Sequence, residues 1–221
     1  MWAALALMFA VMAALLFVGA GTVRWLGGWV LLILFFAESL RVTLMLARRD
    51  PALLAERMKS PLQKGQPLWD KIFLLTLQLT WCAWVVLMAL DAVRFGWSRM
   101  PVWLNAIGVA GFLGAYQIID RVMRENTFLA PVVKIQKERG QRVISTGPYA
   151  RVRHPLYAAA LLLIPCIPLI LGSWYGLAAS LVFVVGIAFR TLMEERELRR
   201  GLEGYPAYMQ QVRYRLVPFL W

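Results

Sequence analysis

Acidic residues are scarce in this chain: 12 Asp and Glu stand against 24 Lys and Arg in 221 residues, a formal net charge of +12. Charge of either sign is sparse, at 16%, while 61% of the residues are hydrophobic. So little polar surface cannot cover a water-soluble domain of this length, which excludes a soluble globular protein. Cysteine is limited to Cys82 and Cys166, both inside apolar stretches, so neither a disulfide framework nor a zinc cluster can be assembled from the spacing. They read as small buried hydrophobes. His154 is the single histidine, and there is no repeat of solenoid period and no low-complexity tract. The basic excess alone is compatible with nucleic acid, anionic lipid or membrane orientation. The 10 Trp, 7 Tyr and 11 Phe suit a protein with two membrane interfaces to anchor and argue against a nucleic-acid partner.

What the chain has in abundance is long apolar runs. Crossing about 30 Å of hydrocarbon takes about 20 such residues, and the candidates are 2–19, 25–47, 72–90, 102–119, 156–171 and 174–193. The expected fold is all-α, a polytopic membrane bundle of about six (five to six) transmembrane helices with a cytoplasmic C-terminal helix and tail. The run 156–171 is short, carries Pro165 and Pro168, and is separated from the next only by Gly172 and Ser173. These two runs are expected to form a tight helical hairpin with a kinked first arm, a re-entrant piece being the alternative. The first run has the length of a signal peptide, but it lacks a basic leading region and ends in Gly19-Ala20-Gly21 without a clear cleavage site, and is read as a helix.

Counting basic residues loop by loop orients the bundle. Twenty of the 24 lie in the second loop, the fourth loop and the C-terminal segment; Arg24, Arg94 and Arg99 lie on the opposite side, and Arg41 falls inside the second run. By the positive-inside rule both termini face the cytoplasm. The expected setting is the inner membrane of a bacterium, and since the external connections are short, any polar site opens inward. The chain reads as one membrane domain over residues 1–221. Within it, residues 1–119 supply four plain spans, and residues 120–221 hold a polar stretch, the hairpin and an acidic-basic helix passing into a Tyr- and Pro-rich tail.

Two features inside the spans carry open readings. Gly108, Gly111 and Gly114 recur every three residues, either as a smooth face for close helix approach or as bare backbone beside a flat ligand. Glu38 and Arg41 lie three apart on one helix face, where they neutralise each other or mark a functional intramembrane carboxylate.

The densest polar signal is Ser145-Thr146-Gly147-Pro148-Tyr149-Ala150-Arg151-Val152-Arg153-His154-Pro155-Leu156-Tyr157, directly before a span. Pro155 suits a first helical position, and His154 and Tyr157 then share one side of the helix start. A second cluster, Arg190-Thr191-Leu192-Met193-Glu194-Glu195-Arg196, closes the last span. Because the two-residue turn makes these spans antiparallel neighbours, His154 and Tyr157 at one foot should meet Arg190 and Glu194 at the other. The plain alternatives are an interfacial histidine satisfied by backbone and a solvated, salt-bridged helix end.

At these residues the sequence resembles the isoprenylcysteine carboxyl methyltransferase family and its phospholipid methyltransferase relatives. The resemblance rests on Gly147-Pro148-Tyr149, Arg153-His154-Pro155-Leu156-Tyr157, Arg190 with Glu194-Glu195, and the tail Tyr205-Pro206-Ala207-Tyr208 ending at Val217-Pro218-Phe219. It covers about the last hundred residues. One departure is that Leu202-Glu203 stand where the family usually places Phe-Gly, with one residue fewer before Tyr205. The resemblance implies S-adenosylmethionine held at the cytoplasmic side by Gln136, Gly147, Tyr149, Arg153, His154, Tyr157, Glu194, Glu195, Tyr205 and Tyr208. It also implies a lipophilic small-molecule or lipidated acceptor drawn from the membrane, with neither metal nor nucleic acid. Arg190 is then the natural clamp for an acceptor carboxylate, and Glu194 the candidate base for an amine or thiol. Membrane sterol reductases carry a similar Arg-His-Pro-x-Tyr element for NADPH, so a membrane reductase of an isoprenoid is the second reading and a non-enzymatic scaffold the third.

Overall fold

A computed structural model describes residues 2–221, the side chain of Ala4 excepted, and among them there are helices and no strand. The helices are α1 (Trp2–Ala20), α2 (Leu26–Arg49), α3 (Pro51–Arg57), α4 (Leu68–Ala89), α5 (Val102–Glu125), α6 (Pro155–Leu171), α7 (Trp174–Gly201) and α8 (Tyr205–Gln211). Their starts follow local chemistry. Asp50 accepts from the Leu53 amide and Pro51 opens α3; Ser173 caps α7 through the Gly176 amide; Pro155 takes the first position of α6 behind His154. Each of the six apolar runs lies within or nearly within a helix. By length and composition α2, α4 with its π-helical extension Leu90–Arg94, α5 and α7 are able to cross a membrane, whereas α1 and α6 are shorter apolar helices.

The core gathers Leu16 of α1, Leu31 and Leu32 of α2, Met88 of α4, Phe112 of α5 and Ile167 of α6, all within 1% exposure. The hairpin forms as expected: Gly172, at φ +80°, ends α6 and α7 begins two residues later. Asn105 of α5 donates to the carbonyls of Leu169 and Ile170 at the end of α6, satisfying groups the helix end leaves open. A Cβ on Gly108 would lie 2.8 Å from the Ile170 nitrogen, and one on Gly111 2.5 Å from Cys166 Sγ. These two glycines therefore serve close approach of α5 to α6; Gly114, with nothing within 4 Å, does not.

Glu38 pairs with Arg41 at 2.7 Å, and Arg41 reaches on to Asp120 of α5 at 2.9 Å, so the intramembrane carboxylate is neutralised within a network that ties α2 to α5. At the opposite end, fully buried Asp91 accepts from Ser98 and Ser173 at 2.6 and 2.5 Å, clamping the loop after α4 to the α6–α7 turn. Nothing in the hydropathy pattern distinguishes Asp91 from an ordinary helix-end carboxylate.

Candidate active site

The segment before α6 is held by the tail. The amides of Arg153 and His154 donate to the carbonyls of Tyr214 and Arg215, each at 2.9 Å. The Arg153 guanidinium bonds the carbonyls of Val212 and Arg213 at 2.7 Å and Glu195 Oε1 at 2.6 Å. Glu195, itself 4% exposed, also receives Arg215 at 2.9 Å and lies 3.3 Å from His154 Nε2. Three cationic or potentially cationic side chains thus converge on one buried carboxylate, and the foot of α7, the entry to α6 and the C-terminal tail become one unit.

Above this hub lies a cavity of about 300 Å³. Of the residues the sequence pointed to, Tyr149, Arg153, His154, Tyr157, Arg190, Glu194, Tyr205 and Tyr208 line it. His154 and Tyr157 lie side by side at the start of α6 with nearly parallel rings, centroids 5.6 Å apart at 10°. The Tyr157 hydroxyl donates to Glu194 Oε2 at 2.5 Å. Tyr208 donates to the Tyr149 carbonyl at 2.7 Å, and the Tyr149 hydroxyl accepts from Asn126 at 2.9 Å. Burial pushes the phenols of Tyr149, Tyr205 and Tyr208 above the ordinary tyrosine range, so all three stay neutral hydrogen-bonding walls near neutral pH.

Three residues named from the sequence do not line the cavity. Glu195 is the hub beneath it, both of its oxygens already engaged. Gln136 is fully buried, but its side chain donates to the Phe128 carbonyl at 2.7 Å and accepts from Arg139 at 2.6 Å, so it is spent on folding its own loop. Gly147 adopts φ +57° and leaves room for Glu125, whose carboxylate a Cβ would meet at 2.9 Å. Its value is the turn that presents Tyr149.

Arg190 and Glu194 both line the cavity, but they are not paired with each other. Arg190 Nη2 lies 3.2 Å from Asp70 Oδ1 and donates to the Pro131 carbonyl at 2.8 Å. The guanidinium also sits over the rings of Phe73 and Tyr157, 5.4 and 6.0 Å from their centroids. Asp70, with no exposed surface, was missed by the sequence reading, as was Arg57, which lines the cavity and donates to the Leu129 carbonyl at 3.0 Å. The available signal for Asp70 was a carboxylate two residues before the run 72–90, a position that is costly without a partner.

The site therefore joins aromatic faces, a carboxylate, guanidinium groups and a histidine in a half-enclosed cavity at one end of the bundle. That donor set can orient a ligand carrying both charges and a flat ring. No curated protein matches the chain. Residues 104–203, running from the first turn of α5 to just past the end of α7, match the model of the phospholipid methyltransferase family.

Proposed function

We propose that this protein is an S-adenosylmethionine-dependent methyltransferase that modifies a lipophilic acceptor at the cytoplasmic face of the membrane. The observation that carries the reading is the convergence of Tyr157, His154, Arg190 and Glu194 on one cavity, from two helix feet that sequence alone made neighbours. The cavity suits the cofactor by its donor set. Among the described residues Glu194 is the only carboxylate in its wall, and it can pair with an ammonium or accept from ribose hydroxyls. The faces of Tyr149 and Tyr157 can lie against a flat ring or a sulfonium, and the buried Nε of Arg190 has no protein partner.

When bound, S-adenosylmethionine supplies an activated methyl group on a sulfonium, and the transfer needs no redox step. The chain's contribution is positioning and dehydration. Tyr157 fixes the direction of Glu194. Glu195 holds His154 and Arg153 from below, so their orientation is set before any ligand arrives. Arg190 clamps an acceptor oxyanion, or Glu194 takes the proton that an amine or thiol acceptor must lose. Glu195, Gln136 and Gly147 act through the side chains and loops they hold.

In this reading all six apolar helices belong to the membrane bundle of a bacterial inner membrane. The four spans of residues 1–119 shape lipid access, and the basic loops keep both termini and the cavity mouth in the cytoplasm, where the methyl donor is made. Detergent-purified protein incubated with radiolabelled S-adenosylmethionine and a total lipid extract tests the proposal. Label in the lipid fraction is expected, base-labile for an ester and base-stable for an N-, S- or ether methyl. Thermal stabilisation by NADPH with no response to S-adenosylhomocysteine overturns it in favour of a reductase.

A further inference from the structure

We infer that Asp70 is a positioning residue for Arg190, setting the direction in which that guanidinium meets the acceptor; the inference rests on the methyltransferase reading above. Asp70 belongs to the first turn of α4, outside the segment that matches the family. Its carboxylate is completely buried and held from two sides. Gln66 Nε2 and the Val133 amide both donate to Oδ2, at 2.8 and 2.9 Å. Oδ1 is thereby turned to Arg190 Nη2 at 3.2 Å.

Arg190, 8% exposed, needs such a partner. A guanidinium removed from water without a countercharge is strongly disfavoured, and Glu194, one turn further on, is engaged by Tyr157. Among the described residues Asp70 is the only carboxylate within ion-pair distance of Arg190. Nη2 is hydrogen-bonded to the Pro131 carbonyl and held beside Asp70 Oδ1 by charge, an ion pair without hydrogen-bond geometry, so the group is tethered at one corner, while the rings of Phe73 and Tyr157 restrict its plane. The Nε hydrogen remains uncommitted although buried. A donor fixed in place but left unpaired on a cavity-lining side chain is pre-organised for a ligand oxygen. The N-terminal half thus does more than shape access: it aims a residue of the C-terminal half.

A cycle of Asp70→Asn, Arg190→Gln and the double variant decides the point, with two readouts. The first is label transfer from S-adenosylmethionine to the lipid extract. Asp70→Asn is expected to lower the rate about tenfold or more, with the KM for S-adenosylmethionine changed by less than about twofold, and to cost nothing further in the Arg190→Gln background. Equal loss in both backgrounds overturns the inference, since Asp70 then acts independently of Arg190. The second readout is the rate at which 2,3-butanedione modifies Arg190, followed by mass spectrometry with Arg153 as internal reference. Release of the tether is expected to raise the Arg190 rate severalfold and leave Arg153 unchanged. Wild-type protein that transfers no label sinks the methyltransferase reading, and the butanedione rates then decide the positioning role alone, an unchanged Arg190 rate refuting it. Gln66→Ala, which loosens Asp70 while keeping its charge, should give the same pattern at smaller amplitude; wild-type values in both readouts refute the assignment even if Asp70→Asn does not fold.

Discussion

Tyr157 donates its hydroxyl hydrogen to Glu194 across 37 positions of sequence, joining the foot of α6 to the foot of α7 inside the cavity wall. A hydrogen bond to a charged group contributes about 1.5–3 kcal/mol, and here it also selects one carboxylate rotamer. Tyr157→Phe keeps the ring that stacks on His154 and removes only the donor. Methyl transfer is expected to fall about tenfold or more, while the thermal midpoint in detergent drops by only a few degrees. A rate within about twofold of wild type would show that Glu194 needs no orientation from Tyr157.

That bond was legible in outline because Gly172-Ser173 is too short for any connection but an antiparallel one, so the two feet had to meet. Helix positions were legible for a simpler reason: a single continuous run such as 25–47 or 102–119 can satisfy its backbone within itself in an apolar medium only as a helix. What spacing could not reveal were partners supplied from far along the chain. Arg190 and Glu194 both reach the cavity, but spacing does not say what partners them: buried Asp70 lies beside the guanidinium and Tyr157 engages the carboxylate. Gln136 carries a side chain able to bind a ligand, yet the folding of its own loop consumes both ends of the amide. Glu195 was named beside Glu194, and only the course of the tail past Arg215 separates their roles.

Glu195 is expected to behave as a structural hub. Its replacement by Ala leaves Arg153, 5% exposed, without its carboxylate, and breaking a buried pair in this way costs about 3–5 kcal/mol. The loss should appear first in the tail, which Glu195 holds through Arg215 and, by way of Arg153, through the carbonyls of Val212 and Arg213. Trypsin should then cleave after Arg213 and Arg215 at least about tenfold faster than in wild type, with α7 still protected. Glu195→Gln retains part of the hydrogen bonding and should lie between the two. Unchanged cleavage at both sites in the Ala variant would contradict the hub.

Gly108 and Gly114 occupy the same helix six residues apart but are expected to respond oppositely to alanine. At Gly108 the added carbon meets Ile170 N and Leu169 Cβ, each at 2.8 Å, and backbone at that distance cannot yield without moving α6. Overpacking of this kind costs about 1–3 kcal/mol, and because α6 carries His154 and Tyr157 the lost packing should also slow methyl transfer. At Gly114 nothing stands within 4 Å, so Gly114→Ala should be neutral or add up to about 1 kcal/mol through helix propensity. Thermal midpoints of the two variants in one detergent provide the comparison, and equal midpoints would remove the close-approach argument.

Acid should loosen the cavity's outer wall through Glu56. This residue, 2% exposed on α3, forms ion pairs with Lys59 and Lys134, each at 2.6 Å, and Lys134 is part of the cavity lining. Burial raises its carboxyl pKa, but the bonds and charges of Lys134 and Lys59 outweigh burial and hold it below the ordinary value of 4.5. A depressed folded-state pKa stabilises the protein fully above the unfolded value and loses that contribution as pH falls through the folded one. The thermal midpoint should therefore decline from about pH 4.5 downward, and Glu56→Gln should flatten that limb while lowering the midpoint at pH 7, where Lys134 is left without its partner. Glu138 is the control: it is exposed and 3.9 Å from the same lysine, and Glu138→Gln should shift stability at pH 7 by less than about 0.5 kcal/mol. An acid limb of equal slope in wild type and Glu56→Gln would assign the acid sensitivity to other carboxylates.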